Sequence, residues 1–203
     1  RLVAQALYAL GTAAGRSDDP VRASQHFAEC LAIRRRLPPG AVSETQLALT
    51  LNNLAVSYLY LEDYAQARPL LEESLALKRR SGDQVAIATA LVNLGDLALR
   101  EGDLARAEAL QRESIQLRAA LDDKLGLAKS LDHLGDIAAV RGDFSRAATL
   151  FAVAQAAHDE IQAKRVAVTA RQVEARLATV RAALSEEAFA AATARGARMS
   201  LDE

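Results

Sequence analysis

The chain has 203 residues, 51% of them hydrophobic, and its 25 basic and 26 acidic side chains are interleaved to a net charge of −1. That balance leaves no electrostatic footprint for nucleic acid or an anionic membrane surface. No apolar run is long enough to span a bilayer, no signal-peptide pattern opens the sequence, and the single cysteine, Cys30, rules out an internal disulfide, so a cytoplasmic protein is expected. Aromatic content is 4% with no Trp, and proline is confined to positions 20, 38, 39 and 69, which favours helix nearly throughout. Arg1 already stands in a helical pattern (Leu2, Val3, Ala6, Leu7, Leu10), as expected for a piece of a longer chain.

In chain order, the first unit spans about residues 1–37. Its Leu10, Asp19, Ala23 and Phe27 match Leu54, Asp63, Ala67 and Leu71 of the second unit after a shift of 44. The four extra residues fall at Leu37-Pro38-Pro39-Gly40, a loop ahead of Ser43-Glu44-Thr45-Gln46, which has capping-box spacing. The second unit, about 44–81, turns at Glu62-Asp63 and packs Tyr64, Ala67, Leu70 and Leu71; Pro69, too late for a first-turn proline, predicts a local bend.

The third unit, about 84–121, is the best formed. Ile87, Ala88, Leu91, Leu94, Gly95, Leu97 and Ala98 make a wide apolar stripe at helical spacing. Glu101-Gly102-Asp103 then breaks the helix, with Gly102 in the left-handed position and Asp103 as N-cap of a second helix carrying Leu104, Ala107, Leu110, Ile115 and Leu117 inward. So short a turn predicts an antiparallel pair. The fourth unit, about 124–160, repeats this grammar through Arg141-Gly142-Asp143, with Phe144, Ala147, Leu150 and Phe151 inward. Degenerate terminal helices are expected within 163–195, one over Val166–Leu184 and a last one over Ala188–Ala194, capped by Ser185-Glu186-Glu187 and ended by Arg195-Gly196.

Stepping by 40 aligns Leu51, Leu91 and Leu131; Leu54, Leu94 and Leu134; Asp63, Asp103 and Asp143; and Ala67, Ala107 and Ala147. A fixed period of this length marks a solenoid, whose units bury their apolar faces only against one another. The predicted fold is therefore all-α, one continuous array of antiparallel helix pairs over 1–203.

These columns resemble the tetratricopeptide repeat. Leu134-Gly135, Ala138, Ala147 and Phe151 carry its hallmark, as do Leu10-Gly11, Ala14, Ala23 and Phe27; Leu54-Ala55, Tyr58, Ala67 and Leu71 are close, and Leu94-Gly95, Ala98 and Ala107 follow it until Gln111 departs. The family's usual proline near the end of the second helix is missing, which suits a 40-residue version similar to repeats in kinesin light chains and bacterial signalling proteins. The resemblance implies a right-handed superhelical solenoid of about four to five repeats that binds proteins or peptides. A second resemblance, carried by 183–192 and 195–203, is to the close of the repeat region in large bacterial regulators that join a signal-transducing nucleotide-binding ATPase to such repeats, often with a LuxR-type module. It implies a sensory or partner-binding arm of a transcriptional regulator.

In stacked pairs of this kind the first helices line the concave side. Thr89, Asn93, Asp96 and Arg100 share one helix face; the equivalents are Leu49, Asn53, Val56 and Tyr60 in the unit before, and Lys129, His133, Asp136 and Val140 in the unit after. Asn53, Asn93 and His133 then form a ladder, and an Asn amide, with donors and an acceptor, suits the backbone of an extended peptide. Asn53, Tyr60, Thr89, Asn93, Asp96, Arg100, Lys129, His133 and Asp136 are the candidate partner-binding residues. The alternative is that they are solvated or fix the stacking.

Catalysis finds little support. His26, His133 and His158 sit on separate units without metal-ligand spacing and read as surface or packing residues. Cys30 shares a small-residue column with Ser74, Ser114 and Ala154 and reads as a packing residue. The Asp column reads as N-caps, not as a metal ladder. The expectation is a non-enzymatic module without cofactor, binding a protein or peptide segment, with no nucleic-acid or membrane contact. Self-assembly into a homo-oligomer and a small-molecule effector site near Tyr8, Tyr58 and Tyr60 are the alternatives.

Overall fold

The computed structural model describes residues 1–38, 40–162 and 167–199, without the side chains of 167–172. Every regular element among them is helical: α1 Leu2–Arg16, α2 Pro20–Arg36, α3 Glu44–Tyr60, α4 Tyr64–Ser81, α5 Gln84–Arg100, α6 Leu104–Ala120, α7 Lys124–Val140, α8 Phe144–Glu160, α9 Ala167–Ala182 and α10 Glu186–Gly196. The expectations placed on Pro39, Val166 and Ser200–Glu203 lie outside the described residues. Helix α4 runs through Pro69 as one element.

The boundaries follow from cap and turn chemistry. Asp19, Asp63, Asp103 and Asp143 each accept the backbone N–H three residues on, at 3.0, 3.2, 3.0 and 3.1 Å, so α2, α4, α6 and α8 each start on an aspartate cap. Ser43 and Gln46 close a reciprocal capping box on α3. Asp83 and Asp123 cap α5 and α7 in the same way, at 2.9 Å each. Between helices the chain passes through the left-handed region, on glycine at Gly82, Gly102 and Gly142 and on a side-chain-bearing residue at Asp18, Glu62, Asp122 and Gln162.

The chain divides into two compact units, Arg1–Leu97 and Ala98–Glu203. In the first, α1 packs on α2, α2 on α3 and α3 on α4. Its core gathers Ala23, Phe27 and Leu31 of α2, Ala48, Leu51 and Leu54 of α3, and Leu77 of α4. In the second, α6 packs on α7, α7 on α8, and α8 on α9 and α10. One cluster joins Ala98 and Ala107 to Leu134 and Ile137; another joins Ala147, Ala148 and Phe151 of α8 to Val180 of α9 and Ala192 of α10. Full burial of one such large side chain contributes about 1.5–3 kcal/mol.

In the pairs α1–α2 and α7–α8, a residue on the first helix and one sixteen positions later compete for the same space. A methyl group on Gly135 would lie 2.7 Å from Cε1 of Phe151, and one on Gly11 would lie 2.8 Å from Cε1 of Phe27. Glycine is required there because the ring edge rests where a Cβ would be. The second pair carries Ala55 and Leu71 at the same two positions, both fully buried: the smaller Leu leaves room for a methyl.

Candidate functional site

In the first unit the candidate wall is formed by α3 and α5. Leu49 and Tyr60 of α3 are exposed, Asn53 and Val56 between them are half-buried, and on α5 Thr89 is exposed while Asn93 and Asp96 are half-buried. The amides are anchored. Asn93 Nδ2 donates to Asn52 Oδ1 at 3.0 Å, Asn52 Nδ2 donates to Asn53 Oδ1 at 3.4 Å, and Asn53 Nδ2 donates to the Tyr8 hydroxyl at 3.0 Å. Asn53 and Asn93 are thus joined through the buried Asn52, a residue the sequence reading did not single out.

Tyr8 is taken up by packing: its ring meets Phe27 edge-on, with centroids 5.6 Å apart, and the Arg34 guanidinium lies 5.2 Å from its centroid. Tyr58 packs against the same core, so of the three tyrosines considered for a small-molecule wall only Tyr60 is exposed.

In the second unit Arg100 and Lys129 are exposed and His133 is half-buried. Asp136 is placed differently from a solvent-facing wall residue. It is buried, and Arg176 of α9 pairs with it at 2.9 Å, because α9 packs on α7 and brings a cation over that carboxylate.

The sequence reading missed a repeated basic position, Arg34 and Lys78 in the first unit and Arg118 and His158 in the second, one near the end of each of α2, α4, α6 and α8, all buried. Each is answered locally. Arg34 donates to Gln46 O and Thr50 Oγ1. Lys78 Nζ donates to Asn52 Oδ1 at 3.1 Å; burial lowers its pKa to about 8, partly opposed by nearby Asp83. Arg118 Nη1 meets Asp123 at 2.6 Å and its Nε donates to Ser114 Oγ at 3.1 Å. His158 Nε2 lies 3.9 Å from Asp132 Oδ2. Stepping by 44 and then 40 residues from Arg34 would have found the column, but hydrophobic periodicity, which looks only for apolar positions, passes over it.

Glu108 gathers Arg112, Arg141 and Arg146 at 2.7, 2.8 and 3.4 Å, and its carboxyl is held below the usual range, chiefly by the hydrogen bond from Arg141. Cys30 donates to Ala4 O at 3.1 Å, and burial pushes its thiol pKa up, away from nucleophile chemistry. Among the described residues no group of three or more His, Cys, Asp or Glu is placed to hold a metal ion, and no helix is long and apolar enough to cross a membrane.

The family model for the tetratricopeptide repeat matches residues 46–120 and again 86–160, more than half of the sequence. The chain belongs to the tetratricopeptide repeat family. Tetratricopeptide repeats generally mediate protein–protein interaction and are typically non-catalytic scaffolds. Among solved structures the chain is similar to BtubC (BKLC) from P. vanneervenii, with 21% identity and a TM-score of 0.67, over 81% of this chain and 66% of that one. It is also similar to a Podosopora anserina protein described as a kinesin light chain with nearly identical TPR-like repeats, with 13% identity and a TM-score of 0.51, over 88% of this chain and 93% of that one. At these identities the likeness is one of fold: stacked, adjacent helix pairs. No curated protein matches the sequence.

Proposed function

We propose that the chain binds a peptide or protein segment on the wall presented by its first helices, as the cytoplasmic sensory or interaction arm of a larger bacterial regulator. The observation that carries this reading is the anchored amide network of Asn52, Asn53 and Asn93, flanked by exposed Leu49 and Tyr60. Amides already held by neighbours lose little freedom when they engage a ligand backbone, and exposed apolar side chains beside them supply area. Thr89 and Asp96 extend the wall in the first unit; Arg100, Lys129 and His133 offer equivalent positions in the second. The regulatory setting is supported by the sequence resemblance carried by residues 183–192 and 195–203.

The test is a peptide array probed with the wild-type chain and with Asn53→Ala, Tyr60→Ala and His133→Ala variants whose helicity by circular dichroism is unchanged. Bound peptides should weaken by roughly tenfold or more for Tyr60→Ala, as for an aromatic anchor. Binding that survives all three replacements unaltered removes the wall from consideration.

A further inference from the structure

Lys78 and Arg118 each have an aspartate close by, Asp83 and Asp123, and those same aspartates cap α5 and α7. At the corresponding place ahead of α3 the cap is the neutral Ser43. Arg34, only 8% exposed, still reaches the first turns of α3, where its Nη1 donates to Gln46 O and Thr50 Oγ1. Arg118 takes the matching position in the second unit: a methyl on Gly126, three residues after its cap as Gln46 is after Ser43, would lie 1.6 Å from Arg118 Nη1 and 2.1 Å from Asp123 Oδ2. Both of Arg34's acceptors are neutral, and among the described residues no carboxylate pairs with it and neither Nε nor Nη2 makes a hydrogen bond. A buried charge without an opposite charge is costly, and the Nε–Nη2 edge of a guanidinium is a fork that takes a carboxylate with two parallel bonds.

The same guanidinium lines a cleft. The link from α2 to α3 runs over 37–43, whereas α4 reaches α5 through 82–83 and α6 reaches α7 through 121–123. Beside this longer link lies a cleft of about 280 Å³, with Leu37, Val42, Leu47 and Leu77 as its apolar lining. Its other charged residues pair off, Arg35 with Glu73 and Arg80 with Glu44 at 2.8 Å. Three arginines against two glutamates leave the lining with one net positive charge, that of Arg34. The N-terminus of α3 at Ser43 and Glu44 adds the positive end of its dipole.

We infer that this cleft binds a small organic monocarboxylate, whose carboxylate takes the place beside Arg34 that Asp123 fills beside Arg118 and whose apolar body lies along Leu37, Val42 and Leu47. The volume stands just under the range of about 300–1,000 Å³ usual for ligand pockets, which suits a short acyl chain. Neither Asn53 nor Asn93 lines the cleft, so the site stands whether or not the wall binds peptides.

The test titrates acetate, butanoate and hexanoate into the 203-residue chain and follows its backbone amides by heteronuclear NMR, with 1-hexanol and sulfate as comparisons. Hexanoate should give saturable shifts at Gly40, Val42 and Leu47 and leave Asn93 unmoved. Arg34→Met should weaken it roughly tenfold or more. Ser43→Asp keeps a side chain able to cap α3 and puts a carboxylate where Asp123 stands in the second unit, so it should weaken hexanoate by a similar factor with helicity unchanged. Should Arg34→Met fail to fold, Ser43→Asp decides alone. Hexanoate binding untouched by Ser43→Asp, or no saturable shift with any of the three carboxylates, overturns the inference. Equal shifts with 1-hexanol overturn it in favour of a purely apolar cleft, and equal binding of sulfate overturns it in favour of an inorganic anion.

Discussion

Replacing Gly135 by alanine puts a methyl 2.7, 2.9 and 2.9 Å from three atoms of the Phe151 ring. Carbon atoms rest at about 3.5–4.0 Å, so the ring must retreat by roughly 0.8 Å inside a closely packed pair. Such overpacking costs about 1–3 kcal/mol, while the better helix propensity of alanine returns about 1 kcal/mol, so the single variant should lose about 0–2 kcal/mol. That net value alone decides little. The decisive comparison is the cycle with Phe151→Leu, which reproduces the Ala55 and Leu71 combination of the second pair. Propensity appears in both backgrounds and cancels, so the coupling isolates the competition for space and should favour the double variant by about 1–2 kcal/mol. Urea unfolding followed by circular dichroism at 222 nm gives the four midpoints. A coupling below about 0.5 kcal/mol would show that ring and methyl do not contend for one volume.

Three further outcomes are expected. Glu62, held at a φ of 58°, should become about 1 kcal/mol more stable as glycine, while Gly142→Ala, at 84° with open space around it, should lose about 1 kcal/mol, both read by thermal unfolding. Lys78 releases its proton near pH 8 in the folded chain but only near its ordinary 10.5 when unfolded, so the unfolded state binds more protons between those values and stability should rise with pH across that window, by about 3 kcal/mol; Lys78→Met should abolish its share of that rise in urea titrations from pH 7 to 10.5, and an unchanged slope would show that the lysine is not the group responsible. Glu108, whose carboxyl is held low, contributes stability that is present above the ordinary carboxylate range and lost as pH falls through its lowered pKa; Glu108→Gln should cost about 1–3 kcal/mol at neutral pH and flatten the acid limb of the stability profile, checked by unfolding from pH 7 down to 3.

The helices were legible because period, caps and turns agree at each joint: the same aspartate opens each second helix, and the same apolar columns recur behind it. Candidate wall residues were legible as a helix face, since a 3.6-residue period places positions 89, 93, 96 and 100 together whatever they touch. What those side chains touch was not legible. Asn93 finds Asn52, one column away from the predicted ladder, and Asp136 finds Arg176 on a helix whose register had faded from the repeat. Partner choice depends on how adjacent pairs pack, and that geometry is written in side-chain volumes spread over several helices rather than in any local window. The buried cations were hidden for a related reason, since a basic residue late in a helix reads equally well as a solvated charge favouring the helix dipole.

The buried basic residues, each with its own neighbour, also bear on how such repeats keep their order. Apolar columns of near-identical leucines and alanines are interchangeable, so shape alone would permit a hairpin to pair out of turn. Arg34 needs the Tyr8 ring and Thr50, Lys78 needs Asn52, Arg118 needs Asp123, and His158 faces Asp132. A hairpin transposed to another slot would leave buried Arg34, Lys78 or Arg118 without the acceptor it bonds here, a cost that opposes pairing out of turn.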